Sequence, residues 1–352
     1  MRKIIMTALM VLLAASFVFA KGTKELQNTR VTVIKNGSLA MFSDDLGRSI
    51  NVDDDGFTKV IAGTPAAQNY IYAIDPSRLY GLSAAWPENA KRLVAKAEEN
   101  LPIYGIFDYM ADGFDWEKLK TSGADAVLIV GNIGSYKSEI TSLLDEKQEE
   151  IGIPLVFIND QFPFTPTTIN RIALIISSYQ NRIDPNQLAE ELMLPLYSTR
   201  NTVSYYYSGT DDGLTPYAPD DPASSVMEFM GMKNVVAAGS TDTMTAMDIA
   251  NSNPDIIILD SEDAYNTMMS ADQFKTVRAV QEGNVYLVPN APYNILSEDA
   301  GAGRLIGLSW MRMLAYKNLT MDNVVDNADD FYEDFYHSNL SDTEIKKLLN
   351  FN

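Results

Sequence analysis

Aromatic residues fall in or beside the loops that follow several predicted strands. Trp86 and Tyr293 lie within such loops, and Tyr206 and Tyr207 end an apolar strand. Aromatic rings bury apolar area and stack on bulky ligands, so these residues favour a cleft that binds an organic molecule. Ordinary packing is the alternative for each aromatic residue taken singly. Two polar residues complete the predicted ligand-binding set: Thr64 and Asn132.

The composition excludes several kinds of catalytic and metal site. The sequence contains no cysteine and one histidine, His337. Disulfides, thiol nucleophiles, thiolate zinc sites and Ser-His triads are therefore ruled out. A directly bound metal would need oxygen ligands from Asp, Glu or Tyr, and we predict neither a metal site nor an intrinsic cofactor. Two carboxylates that meet in space could still hydrolyse a substrate, which leaves a secreted hydrolase as an alternative function.

The first twenty residues have the pattern of a secretory signal peptide. Arg2 and Lys3 precede an apolar stretch over 4–19, and Val18 and Ala20 are suitable residues at the −3 and −1 positions of a cleavage site. We predict cleavage after Ala20 and a periplasmic protein that is not inserted in a membrane. Because cysteine is absent, there is no lipid-attachment site.

The charge of the chain disfavours nucleic acid as a partner. Without Arg2 and Lys3 the mature chain keeps 25 basic and 47 acidic residues, a net charge of −22. A surface with this excess of negative charge repels phosphate backbones.

Short apolar runs alternate with helical patterns and predict the elements that position these residues. Continuous apolar strands followed by helices are typical of parallel sheets covered on both faces. We therefore predict an α/β fold of two lobes, each a mainly parallel sheet flanked by helices. The predicted strands are 59–63, 126–130, 153–158, 203–207, 255–259 and 285–288.

The same pattern predicts the domain boundaries. After the signal peptide at 1–20, an N-terminal lobe spans 21–165, a helical connector 166–200, a C-terminal lobe 201–318 and C-terminal helices 319–352. One continuous sheet covered by these helices is the alternative. Phe331, Tyr332, Phe335 and Tyr336 keep helical spacing and are predicted to pack in the core.

Four segments in the same order carry a resemblance to a known family. Phe42 to Arg48, followed by Val52, is similar to an opening D-x-x-G-R-x-V hairpin, and 114–160 is similar to the unit N-L-E-…-P-D-L-V-I … G-I-P-V-V. In the second half, 252–259 is similar to N-P-D-V-I-I and 280–289 to A-V-K-N-G-R-V-Y-x-V-P. Together they resemble the periplasmic iron-complex-binding proteins of ABC importers.

The resemblance implies both architecture and function. Proteins of this family have two α/β lobes joined by a rigid interdomain helix and close little on their ligand. It implies a monomer that captures an iron complex, most simply a ferric siderophore, and delivers it to an ABC permease and its ATPase. Haem and cobalamin are the alternative ligands. A receptor-like module that signals without delivering is a further alternative.

The resemblance also implies where the permease would dock. In this family one surface glutamate on each lobe meets arginines of the transporter. The first-lobe glutamate lies seven residues before the proline of P-D-L-V-I. Ala124 stands at that proline here, and the same spacing back from it reaches Glu117. In the second lobe the same spacing back from Pro254 reaches Met247. Either a shift of one residue lets Asp248 serve, or the second contact is lost.

Overall fold

The structure, a computed structural model, describes residues 39–53, 55–160, 162, 165–176, 202–317 and 319–351. The predicted signal peptide lies outside these residues. The contacts divide the chain after Asp54, and the two parts are described separately. The first contains the antiparallel hairpin of β1 (Leu39–Ser43) and β2 (Ser49–Asp53). Its turn is held by an ion pair of 2.6 Å between Arg48 Nη2 and Asp44 Oδ2.

The second part begins with a parallel four-stranded sheet in the order β4-β3-β5-β6. The apolar runs predicted as strands at 59–63, 126–130 and 153–158 all belong to it, because buried parallel strands are apolar on both faces. Its strands are β3 (Val60–Ala62), β4 (Leu79–Gly81), β5 (Ala126–Gly131) and β6 (Leu155–Asn159). Its helices are α1 (Pro65–Ile74), α2 (Lys96–Glu99), α3 (Trp116–Lys120) and α4 (Lys137–Ile151).

Helix α5 (Thr165–Ile175) follows the first sheet and begins the predicted helical connector. Residues 177–200 of that connector lie outside the described residues. The second sheet is also parallel, in the order β10-β9-β7-β8. Its strands are β7 (Ser204–Ser208), β8 (Lys233–Asn234), β9 (Ile256–Leu259) and β10 (Val285–Leu287). The predicted α/β fold with two parallel sheets is confirmed.

Helices cover the second sheet and continue to the end of the described chain. The aromatic stripe predicted for the core is buried on the long helix α11, which confirms that prediction. The helices are α6 (Ser225–Phe229), α7 (Ala246–Ser252), α8 (Glu262–Ser270), α9 (Arg278–Gln281), α10 (Arg304–Met311), α11 (Met321–Tyr336) and α12 (Asp342–Leu348).

Helix α1 joins the first lobe to the second. Thr64 caps it by accepting a hydrogen bond of 3.3 Å from Ala67 N, and Pro65 occupies the first turn. Nine of its ten residues are buried, including Asn69. The Asn69 amide donates to the Asp299 carbonyl at 2.7 Å and its oxygen accepts from the Tyr336 hydroxyl at 2.8 Å. Both polar ends of a buried side chain are thus satisfied by the second lobe.

A buried ion pair lies at the same junction. Asp160, at the end of β6, pairs with Arg304, the first residue of α10, and their side chains are 3% and 1% exposed. The Tyr70 hydroxyl donates to Asp160 at 2.9 Å and the Thr168 hydroxyl at 3.2 Å. A charge this far from water needs such partners, because its desolvation is costly.

We expect Arg304→Leu to lower the free energy of unfolding by about 3–5 kcal/mol, because it leaves Asp160 buried without its counter-charge. Urea denaturation measures the loss. Lys275→Leu is the control, since Lys275 and Asp272 form an exposed pair with side chains 69% and 91% exposed, and such pairs contribute little. Equal stability of the two variants would contradict this account of the junction.

Candidate functional site

Ligands of open parallel sheets bind beyond the carboxyl ends of the strands, and in the first lobe a short hairpin lies there. Phe107 N donates to Gly63 O at 2.7 Å, just beyond β3, and Gly105 pairs with Phe114 across the hairpin. Gly105 has φ +89°, and a Cβ there would meet the carbonyl oxygen of Gly113 at 1.9 Å. Only glycine fits this crossing of two backbones.

The hairpin exposes apolar and aromatic side chains. Met110 is 76% exposed, Ile106 43% and Tyr136, at the start of α4, 46%. The rings of Tyr109 and Tyr136 lie 4.7 Å apart. Exposed apolar side chains close to the carboxyl ends of parallel strands make this loop a candidate interaction surface. We call Ile106, Tyr109, Met110 and Tyr136 the Tyr109 patch.

The phenol of Tyr109 stays protonated at neutral pH. Desolvation and a hydrogen bond between the Tyr109 and Tyr136 hydroxyls raise the pKa of Tyr109 to about 12. The nearby carboxylates of Asp108 and Glu139 raise it further. The patch therefore offers aromatic faces and the neutral Tyr109 hydroxyl to a ligand.

In the second lobe the carboxyl ends of the strands meet at Asp260. This carboxylate follows β9 and accepts hydrogen bonds from the hydroxyls of Tyr207 at 2.7 Å and Tyr217 at 3.2 Å. Burial raises the pKa of Asp260 even though these donors oppose the shift.

The two predicted tyrosines of β7 lie inside the second lobe. Tyr206 and Tyr207 are both 0% exposed. The Tyr206 hydroxyl donates to the Gly213 carbonyl at 2.8 Å on the face opposite Tyr207, as strand alternation requires. Because both hydroxyls are bonded within the protein, ligand contact by these residues stays a prediction.

The structure brings Trp86 and Tyr293 together across the lobe junction, with ring centroids 6.2 Å apart. Trp86 is 3% exposed, and its indole N–H donates to Glu98 O at 3.3 Å. Tyr293 is half-buried and its hydroxyl accepts from Gln68 Nε2 at 3.4 Å. As residues of a predicted ligand cleft, both side chains are expected to face open space. For Trp86 this is wrong, since the loop after β4 folds its indole beneath the surface.

The two predicted polar residues have different surroundings. The Thr64 hydroxyl donates to Val130 O at 2.8 Å and caps α1. Asn132 is exposed beyond β5, and its side-chain oxygen accepts from Gly134 N at 2.9 Å. Thr64 has a structural role whether or not it meets a ligand, and Asn132 lies on the edge that carries Tyr136.

The predicted docking residues are both exposed. Glu117 lies in the first turn of α3 with its side chain 79% exposed, 2.6 Å from Lys120 Nζ. Asp248 lies in the first turn of α7 and accepts from Thr245 N and Oγ1 at 2.9 and 2.7 Å. These hydrogen bonds lower the pKa of Asp248. Asp248 therefore caps a helix, and docking by either residue stays a prediction.

Sequence reasoning missed the Tyr109 patch. Its signal was the apolar and aromatic run of Ile106 to Met110 between Gly105 and Gly113, in a stretch without strand or helix periodicity. Within the described ranges, no group of three or more His, Cys, Asp or Glu residues could hold a metal ion. Nor does any helix among those residues have the length and apolar character needed to cross a membrane.

No protein-family model and no curated protein matches the sequence. Solved structures do match. An ABC transporter solute-binding protein from Sulfurospirillum deleyianum has a TM-score of 0.73 at 19% identity, covering 88% of this chain and 99% of that chain. The chain has the fold of periplasmic binding proteins.

Two further structures support this binding-protein fold. The TroA-like periplasmic binding protein FepB from Veillonella parvula has a TM-score of 0.64 at 14% identity, covering 86% of this chain and 97% of that one. The molybdate-binding protein MolA from Haemophilus influenzae has a TM-score of 0.62 at 17% identity, covering 86% and 99%. The two-lobe architecture implied by the sequence resemblance is thereby confirmed.

One carboxyl group at the lobe junction of this fold should titrate near neutral pH. Glu298 begins the 3-10 segment Glu298–Gly303, which packs against α1. Burial raises the pKa of Glu298 from 4.5 to about 7, and Arg304 opposes that shift. The folded protein therefore binds a proton here that the unfolded chain has already released.

We expect the free energy of unfolding to fall as pH rises from about 5 to 7, because Glu298 must ionise in a buried position. Glu298→Gln, which mimics the neutral form, should remove this part of the pH dependence and be the more stable protein at pH 8. Urea denaturation at a series of pH values measures both. The exposed Glu282→Gln is the control, and an unchanged pH slope in Glu298→Gln would rule out the effect.

Proposed function

We propose that the protein is the substrate-binding component of an ABC importer, and that it captures an iron complex, most simply a ferric siderophore. It acts in the periplasm as a monomer and delivers the complex to a permease driven by an ATPase. Its task is capture and not catalysis. The fold it shares with solute-binding proteins supports the class of function.

The Tyr109 patch is the observation that carries the choice of ligand class. Met110 and Tyr136 present apolar and aromatic area at the edge where binding proteins of this kind hold their ligands. Such a surface suits an organic chelate whose metal is already wrapped, because affinity then comes from shape and stacking. A bare oxyanion would instead require charged or N–H donors. Haem and cobalamin fit the same argument and remain the alternatives.

Binding to a panel of ferric siderophores, haem and cobalamin tests the proposal. The correct complex should quench tryptophan fluorescence, because Trp116 packs 6.2 Å from Phe107 in the hairpin of the Tyr109 patch. It should also raise the melting temperature, since a ligand of the folded state stabilises that state. If no member of the panel produces either change, the proposal fails for these ligands.

Matched variants locate the binding surface. Tyr136→Ala and Met110→Ala should each weaken binding of the correct complex by about 1–3 kcal/mol. Met321→Ala removes an exposed methionine elsewhere, 41% exposed at the start of α11, and should leave affinity unchanged. Equal loss in all three variants would show that the patch is not the ligand surface.

Docking on the permease has its own test. Glu117→Lys should leave ligand affinity unchanged but reduce uptake in cells, because a like-charge contact at an interface costs several kcal/mol. Glu333→Lys makes the same charge change at an exposed position of α11 and should transport normally. Full uptake by the Glu117→Lys protein, with normal secretion and binding, would remove Glu117 from the docking surface.

A further inference from the structure

A cavity of about 440 Å³ lies between the 3-10 turn Glu88–Ala90, the carboxyl ends of β9 and β10, and helix α12. Two side-chain hydrogen bonds connect its walls. The Asn89 amide donates to Asn290 O, and the Asn350 amide donates to Leu287 O at 3.1 Å. This volume is within the usual range of small-molecule sites, about 300–1,000 Å³. No residue of the Tyr109 patch lines it.

Two cations line the cavity on the side of α12. They are Lys347, on α12 itself, and Arg92, which lies within electrostatic range of Glu344 one turn earlier on the same helix. Neither cation forms a hydrogen bond or an ion pair with any residue that the structure describes. In a chain with 27 basic and 47 acidic residues, two such cations in one cavity are available for a ligand.

Three carboxylates line the cavity: Glu88, Asp260 and Glu262. Asp260 and Glu262 flank the start of α8, and both face the cavity. Neither lies within 4.0 Å of Arg92 or Lys347, the distance that defines an ion pair. Glu88 is paired with Lys91 at 2.5 Å, and Asp260 already accepts hydrogen bonds from two tyrosine hydroxyls. Glu262 is therefore the lining carboxylate that has no hydrogen bond or ion pair with a residue that the structure describes.

We propose that this cavity binds a zwitterionic ligand of dipeptide size, with its carboxylate at Arg92 and Lys347 and its ammonium group at Glu262. A dipeptide separates its charges by roughly 7 Å, and Glu262 lies more than 4.0 Å from either cation. The planar guanidinium group of Arg92 can donate two parallel hydrogen bonds to a carboxylate. The carboxamides of Asn89, Asn290 and Asn350 border the space in which the peptide group would lie.

Calorimetric titration of the full-length mature protein with L-alanyl-L-alanine tests this assignment. The dipeptide should bind at one site per chain, at least tenfold more tightly than N-acetyl-L-alanyl-L-alanine, which lacks the ammonium group. The same margin is expected over L-alanyl-L-alaninamide, which lacks the carboxylate. Equal affinity for the three probes, or no binding of the dipeptide, would overturn the proposal.

Variants assign each charge of the ligand to a side of the cavity. Arg92→Gln and Lys347→Gln should reduce the preference for the dipeptide over its amide, and Glu262→Gln the preference over its N-acetyl form. Lys346→Gln and Asp263→Asn, each one residue away and outside the cavity lining, should bind like the parent. Equal weakening of dipeptide binding in these control variants would show that general surface charge, and not the cavity, determines the affinity. Because the cavity and the Tyr109 patch share no residue, failure here would leave the proposed iron-complex function standing.

Discussion

The buried ion pair between Asp160 and Arg304 is the contact on which the arrangement of the two lobes depends. Asp160 directly follows the last strand of the first sheet, and Arg304 begins a helix of the second lobe. Separating either buried charge from its partner costs several kcal/mol. The ion pair therefore holds the two lobes in one relative orientation. Helix α1 then packs against Glu298–Gly303, and the raised pKa of Glu298 is a consequence of that packing. A junction of this kind suits small loop adjustments to a ligand better than a wide hinge motion.

Strands and helices could be predicted from the sequence because their signal is local. The apolar run at 126–130 became β5, and the aromatic spacing at 331–336 became the buried face of α11. The burial and the contacts of single side chains could not be predicted. Trp86 lies in a loop, and whether a loop residue is buried depends on which distant segment covers it. Strand alternation places Tyr206 and Tyr207 on opposite faces of β7, but it does not show that both faces of a central strand are covered.

The Tyr109 patch and the charged cavity differ in how far they could be predicted from the sequence. The Tyr109 patch comes largely from one short segment between two glycines, so its apolar run could have been weighed as a binding loop. The charged cavity joins Arg92, Glu262 and Lys347 from three distant parts of the chain. The acidic composition also gives no sign of its two cations, because composition describes the average surface and not one concave site.

The central claim is that this chain carries an iron complex, and native mass spectrometry of the protein purified from its own host tests it most directly. The account predicts one added mass per chain, containing iron with its organic chelator, which is lost on unfolding. Tandem dissociation would release the intact complex. A protein that is isolated under iron-chelate-replete conditions and shows only the bare chain mass, or a ligand without iron, would contradict the account.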